Sequence, residues 1–216
     1  MSKYFAADGA LGIIMEKIAD FLILSVLYLL FSIPIVTAGA SATALYTVTL
    51  RMARHEEKKT ARGFWKAFRE NFRQATLIHL ILTAVLFLLG FYALAVSILP
   101  GNLQIVFGVL TGIFLIVWLM EAVFVFPVQA RFCGGIRQTM KNAWLMAAAN
   151  FPYFLLIVLI SGLPIWNLLL LPALFLRMLI LWILLGPGFL AWVNSRLFQK
   201  CFRRYAPEEE KQEETA

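Results

Sequence analysis

Residues 76–99 read TLIHLILTAVLFLLGFYALAVSIL, a run of 24 residues without a charged side chain. A helix that crosses the hydrocarbon core of a bilayer needs about 20 apolar residues. Buried helices of soluble proteins usually have apolar runs of only about 10–14 residues. This run therefore predicts a transmembrane helix, and it decides the class of fold.

Three further stretches are similarly poor in charge. Residues 21–50 hold no charged side chain, residues 102–128 hold only Glu121, and residues 142–195 hold only Arg177. Of all 216 residues, 62% are hydrophobic and 14% are charged, whereas an average soluble domain is about 25% charged. We predict an all-α, polytopic bundle of transmembrane helices in the lipid bilayer. Residues 1–203 would form one membrane domain, and residues 204–216 a charged, disordered tail.

The net charge of +7 is concentrated at the ends of the apolar runs. Residues 51–73 contain eight Lys or Arg against three Glu, and residues 131–141 and 196–211 form two further basic groups. The positive-inside rule places such segments on the cytoplasmic side. We therefore expect a cytoplasmic C-terminus, and the basic charge needs no nucleic-acid partner to explain it.

The number of crossings depends on the second apolar segment. A first helix is predicted over residues 12–33, because Pro34 disfavours its continuation. The next segment, residues 35–54, is rich in small residues and short for a full span, so it either crosses obliquely or is re-entrant. A weak repeat between residues 68–75 and 136–143 favours six crossings with both termini inside. Five crossings with the N-terminus outside stay open.

Residues 60–75, here called the stub, have the pattern of an amphipathic helix. At 100° per residue, four aromatic side chains fall on one face and basic side chains adjoin them. Two placements suit this pattern: a helix lying in the lipid headgroups, or a cytoplasmic helix docked on the protein itself. In either placement the stub is a candidate contact surface for a partner, through Phe64, Trp65, Phe68, Arg69, Phe72 and Arg73.

The rest of the chain shows turn signals between apolar segments. Residues 100–102, Pro-Gly-Asn, predict an outer turn. Residues 131–141 predict a basic loop, and residues 144–163 an outward span. The last span is predicted over residues 173–198, with a kink or break at the Gly-Pro-Gly of residues 186–188.

Two charged side chains fall inside predicted spans, Glu121 and Arg177. Each costs about 2.5–3.5 kcal/mol on insertion scales, which makes each a candidate functional residue. Glu121 either handles a proton or substrate, or is accommodated by helix packing. Arg177 is expected to extend toward the outer surface or to a lipid phosphate. Their predicted depths differ by roughly 10 Å, so an ion pair between them would require different helix boundaries.

Nothing in the sequence indicates catalysis, a metal site or a cofactor. The zinc-protease, lipase-type serine and phosphate-loop motifs are absent. Cys133 and Cys201 stand beside basic groups, where reduced thiols are expected. The two cysteines and two histidines are too scattered for a metal centre. We therefore expect a protein that is not an enzyme and binds no cofactor.

Several segments together resemble the YesL family, bacterial membrane proteins with a domain of unknown function. They are the Ser-Ile-Pro-Ile-Val-Thr of residues 32–37, the small-residue segment 40–46, the aromatic and basic stretch 64–72 and the Lys-Asn-Ala of residues 141–143. The resemblance covers about residues 14–203. It implies a plasma membrane protein of the Gram-positive type, encoded near carbohydrate uptake transporters, and it supplies no catalytic residues.

Two classes of function remain in view, with a membrane enzyme as a third and weaker one. The first is a non-catalytic accessory or regulatory partner of a carbohydrate uptake system, contacting a transporter permease or a sensor kinase through the small-residue segment or the stub. The second is a small secondary transporter that uses Glu121. A water-filled cavity reaching Glu121 would favour the transporter, and an exposed small-residue groove would favour the accessory protein. The sequence leaves the oligomeric state open.

Overall fold

The computed structural model describes residues 10–205 except 55, 57 and 58, and all regular secondary structure in that part is helical. This confirms the all-α prediction. Most of the predicted tail, residues 206–216, lies outside the described residues. The helices are α1 (Ala10–Ser32), a 3₁₀ turn (Ile35–Thr37), α2 (Ala38–Ala53), α3 (Thr60–Ser97), α4 (Asn102–Arg131), α5 (Ile136–Ala149), α6 (Phe151–Ser161), α7 (Leu163–Leu170) and α8 (Pro172–Phe202).

Three of these helices, α3, α4 and α8, are long and apolar enough to cross a membrane. α5 and α6 together make a fourth candidate, bent by 99° at their junction. α2 is only 16 residues long, and α1 carries Glu16, Lys17 and Asp20 among its 23 residues. The chain is thus a multi-pass membrane protein by length and composition, and the count of five or six crossings stays a prediction.

Ring contacts and a hydrogen bond give the relative directions of α1, α4 and α8. α1 and α8 are antiparallel, because Phe21 packs on Trp192 with ring centroids 5.5 Å apart, while Gly188 N donates to Ser25 Oγ at 2.9 Å. The C-terminal ends of α4 and α8 meet where Phe132 packs on Phe202. The start of α1 therefore lies toward the same end of the bundle as the end of α8.

The small-residue helix α2 lies at the centre of the bundle, packed against α1, α3, α4 and α8. Its small side chains allow close approach, as in many membrane helix pairs. Ser41 Oγ donates to Tyr28 O of α1 at 2.8 Å, and Thr49 Oγ1 lies 2.8 Å from Ser195 Oγ of α8. Neighbouring helices cover this segment, so it does not offer the exposed small-residue groove that would favour an accessory protein.

The second half of the chain departs from the prediction at two prolines. The predicted loop 131–141 and span 144–163 are replaced by α5, which already begins at Ile136, and by the bend at Asn150 before α6. Pro152 stands in the first turn of α6, a position that suits proline. At Pro187 the opposite holds, since α8 continues through it and the predicted break is absent.

Candidate functional site

The stub forms the first 16 residues of α3, which continues into the span without interruption. The sequence left open whether the stub lies in the headgroups or docks on the protein, and the structure shows it docked. Phe64 is fully buried and Phe68 is 7% exposed. Both pack on Phe31 at the end of α1, with ring centroids 6.0 Å and 4.8 Å away.

Docking divides the six predicted contact residues into two sets. Phe64 and Phe68 belong to the core and are not available to a partner. The other four are exposed and follow the spacing of one helical face. We call this set the stub face: Trp65, Arg69, Phe72 and Arg73.

A contact at the start of α3 fixes the stub further. Thr60 Oγ1 donates to Asp20 Oδ1 of α1 at 2.5 Å. At its other end, Gln74 Nε2 donates to Gly134 O at 2.9 Å and to Thr139 Oγ1 at 3.2 Å. The stub is thus tied to α1 on one side and to the start of α5 on the other. The stub face is held on a rigid element.

Glu121 lies in α4 and is 8% exposed. Its Oε1 is buried and has no hydrogen-bond partner in the described part of the chain. Glu121 is one of the residues that line a pocket of about 300 Å³ between α3, α4 and α5. The pocket is lined by apolar side chains such as Val85, Phe114 and Met140. A cavity does reach Glu121, but its walls are hydrophobic.

Glu121 and Arg177 are far apart. Phe124, one turn from Glu121, packs on Phe198 with ring centroids 5.1 Å apart. Arg177 precedes Phe198 by 21 residues, which is about 31 Å along a helix. Arg177 is exposed near the start of α8. Glu121 and Arg177 are therefore separated by much more than two helical turns. The structure does not join them in one site.

Gln129 and Asn194, two polar side chains outside the predicted site residues, are buried. Gln129 in α4 is 6% exposed, and neither its Oε1 nor its Nε2 has a partner among the described residues. Asn194 Nδ2 donates to Ser161 Oγ at 2.9 Å, linking α8 to α6. The signal available for Gln129 is an amide directly after an apolar run.

The two cysteines differ in exposure. Cys133 is exposed and Cys201 is buried. In residues 10–54, 56 and 59–205, no three His, Cys, Asp or Glu side chains lie close enough together to hold a metal ion.

An all-helical fold with several membrane-length apolar helices, a docked stub and a buried carboxyl group defines a multi-pass membrane protein. The model of a family described as a protein of unknown function, DUF624, matches residues 21–92, one third of the chain. The match runs from α1 through α2 and most of α3, so it includes the whole stub. No curated protein and no solved structure matches the chain.

Proposed function

We propose that the chain is a non-catalytic accessory or regulatory protein of a carbohydrate uptake system in a bacterial plasma membrane. The observation that supports it best is the stub face, exposed on a rigid helix beyond the apolar part of α3. The resemblance to the YesL family supports the carbohydrate system. The positive-inside rule supports a cytoplasmic stub and C-terminus.

The composition of the stub face suits a protein partner. Protein interfaces are enriched in aromatic residues and arginine, and residues of high binding energy are enriched in Trp, Tyr and Arg. Trp65 is 48% exposed and Phe72 is 38% exposed. Arg69 and Arg73 stand beside them and offer planar, multiple hydrogen-bond donors. The partner we propose is the permease of a carbohydrate transporter or a sensor kinase.

The rigidity of the stub favours binding as well. Association costs free energy when flexible side chains and loops become ordered, and a preorganised surface reduces this cost. Phe68 stacks on Trp65 with ring centroids 6.0 Å apart and contacts Phe72 at 5.4 Å. The buried ring of Phe68 thus holds both exposed aromatic side chains of the stub face in place.

Changing Trp65 and Phe72 together to Ala is expected to abolish recovery of the partner. The measurement is purification of the tagged full chain from native membranes after mild crosslinking, followed by mass spectrometry. The wild type should recover a carbohydrate transporter permease or a sensor kinase. Two aromatic contacts of this kind are worth about 2 kcal/mol or more each at an interface centre, enough to lose a transient complex. Phe64 and Phe68 are left unchanged because they are core residues.

The matched control changes Phe87 and Leu88 to Ala on the apolar part of the same helix, where both are exposed. This variant should recover the partner as the wild type does. Equal recovery by the Trp65 and Phe72 variant would mean that the stub face only anchors α3 among lipid headgroups. Recovery of the chain alone would contradict the accessory function and leave the secondary transporter acting through Glu121 as the candidate.

A further inference from the structure

The pocket beside Glu121 has the size and walls of a small-molecule site. Its volume of about 300 Å³ is at the lower end of the range for ligand pockets, about 300–1,000 Å³. Such sites usually combine apolar walls with a few polar groups that orient the ligand. Here the walls come from α3, α4 and α5, and Glu121 is the one ionisable residue in the lining.

The carboxyl group of Glu121 lacks a partner that its surroundings require. A carboxylate in an apolar environment is unfavourable unless it is paired and hydrogen-bonded. Glu121 Oε1 is buried without any donor in the described part of the chain. No Lys, Arg or His lines the pocket. A ligand that carries a cationic donor would supply the partner that Glu121 Oε1 lacks.

The indole of Trp118 cannot fill that role. Its Nε1 donates to Leu82 O at 2.9 Å, so its one hydrogen is already used. Phe114, Trp118 and Trp144 nevertheless stand in the lining, and aromatic rings attract ammonium groups. The same walls accept an apolar body of the ligand without further hydrogen bonds.

We propose that this pocket binds a lipophilic ammonium compound, with the ammonium group on the Glu121 carboxylate and the apolar body between α3 and α4. The pocket lies on a different part of α3 from the stub face. The proposal therefore does not depend on the accessory function.

The probe for this site is 2-phenylethylammonium, and 2-phenylethanol is its neutral counterpart with the same ring and chain. Binding is measured by isothermal titration calorimetry on the full chain in lipid nanodiscs, with empty nanodiscs as the reference. The wild type should bind the ammonium probe saturably, with one site per chain, and more tightly than the alcohol. Glu121→Gln keeps the size of the side chain and should weaken ammonium binding at least about tenfold, because hydrogen bonds between charged groups are the strong ones.

Three controls keep the test decisive. Glu70→Gln removes an exposed carboxylate of α3 whose nearest ion-pair partner is Lys66 at 3.9 Å, and it should leave binding unchanged. Val85→Phe should weaken binding by filling the pocket while Glu121 stays intact, whereas Leu88→Phe, at an exposed position outside the pocket lining, should not. The proposal would be overturned if the wild-type chain showed no saturable binding of the ammonium probe above that of empty nanodiscs. The proposal would also be overturned if the wild type and the two pocket variants, Glu121→Gln and Val85→Phe, bound the ammonium probe with equal affinity.

Discussion

Phe64→Ala is expected to destabilise the protein by about 3–5 kcal/mol, the usual range for a buried Phe reduced to Ala. Phe64 has no exposed surface, and its ring lies against Phe31 of α1 and Phe68 of α3. The substitution leaves a cavity where α1, α2 and the stub meet. Thermal unfolding of the purified protein in detergent measures the effect as a lowered midpoint.

Phe87→Ala is the matched control for this experiment. Phe87 belongs to the same helix but is 65% exposed, so little packing is lost and the midpoint should stay near that of the wild type. If Phe64→Ala and Phe87→Ala gave the same small change, the stub would not be docked on α1. It would then lie in the lipid headgroups, the alternative that the sequence left open.

Gly188→Ala is expected to cost about 1–3 kcal/mol, as overpacking usually does. A Cβ atom at position 188 would lie 2.5 Å from the backbone oxygen of Phe21 and 3.1 Å from its Cα. Neither atom belongs to a flexible side chain, so α1 would have to move away from α8. The hydrogen bond from Gly188 N to Ser25 Oγ would be lost or lengthened with it.

Gly90→Ala provides a control of opposite sign. A Cβ atom at position 90 meets nothing within 4 Å, and Ala is favoured over Gly inside a helix by about 0.5–1 kcal/mol. The unfolding midpoint should therefore fall for Gly188→Ala and stay level or rise for Gly90→Ala. A fall of equal size in both variants would contradict the close packing of α1 on α8.

The features that sequence predicted well are those set by local chemistry. The uncharged run of residues 76–99 forms the apolar part of α3, and α1 ends at Ser32, just before Pro34. The turn at residues 100–102 is confirmed, with Gly101 at a φ of 59°, a conformation that suits glycine. Apolar runs, prolines and glycines determine the conformation of residues close to them in sequence. Their effects can therefore be predicted without knowledge of the fold.

What sequence did not predict depends on contacts between helices. Periodicity showed that the stub has an aromatic face but not that Phe31 covers half of it. It could not show that other helices surround α2. The bend at Asn150 did have a local signal in Pro152, because a proline lacks the N–H that continues a helix and clashes with the carbonyl four residues earlier. Of the kink or break predicted at residues 186–188, the break is absent, because α8 continues through Pro187.

The same distinction between local chemistry and contacts between helices applies to the candidate sites. Glu121 was found because a lone charge in an apolar run is conspicuous. Its pocket was not, because the walls come from three helices that are distant in sequence. Arg177 was found by the same rule, yet it lies exposed near the start of α8 and joins no site with Glu121. Charge inside a span therefore identifies a candidate residue, and only the fold identifies what surrounds it.

The most direct test of the account is labelling of the two ends of α4 with a membrane-impermeant maleimide in intact cells. The chain carries Cys201→Ser, and a single cysteine stands either at the native Cys133, which is exposed, or at Asn102→Cys in a Cys133→Ser background. Asn102 begins α4, and Arg131 ends it; 30 residues span about 45 Å. The account predicts labelling of Asn102→Cys in intact cells and of Cys133 only after permeabilisation. Labelling of both cysteines from the same side would contradict a membrane-spanning α4 and with it the multi-pass fold.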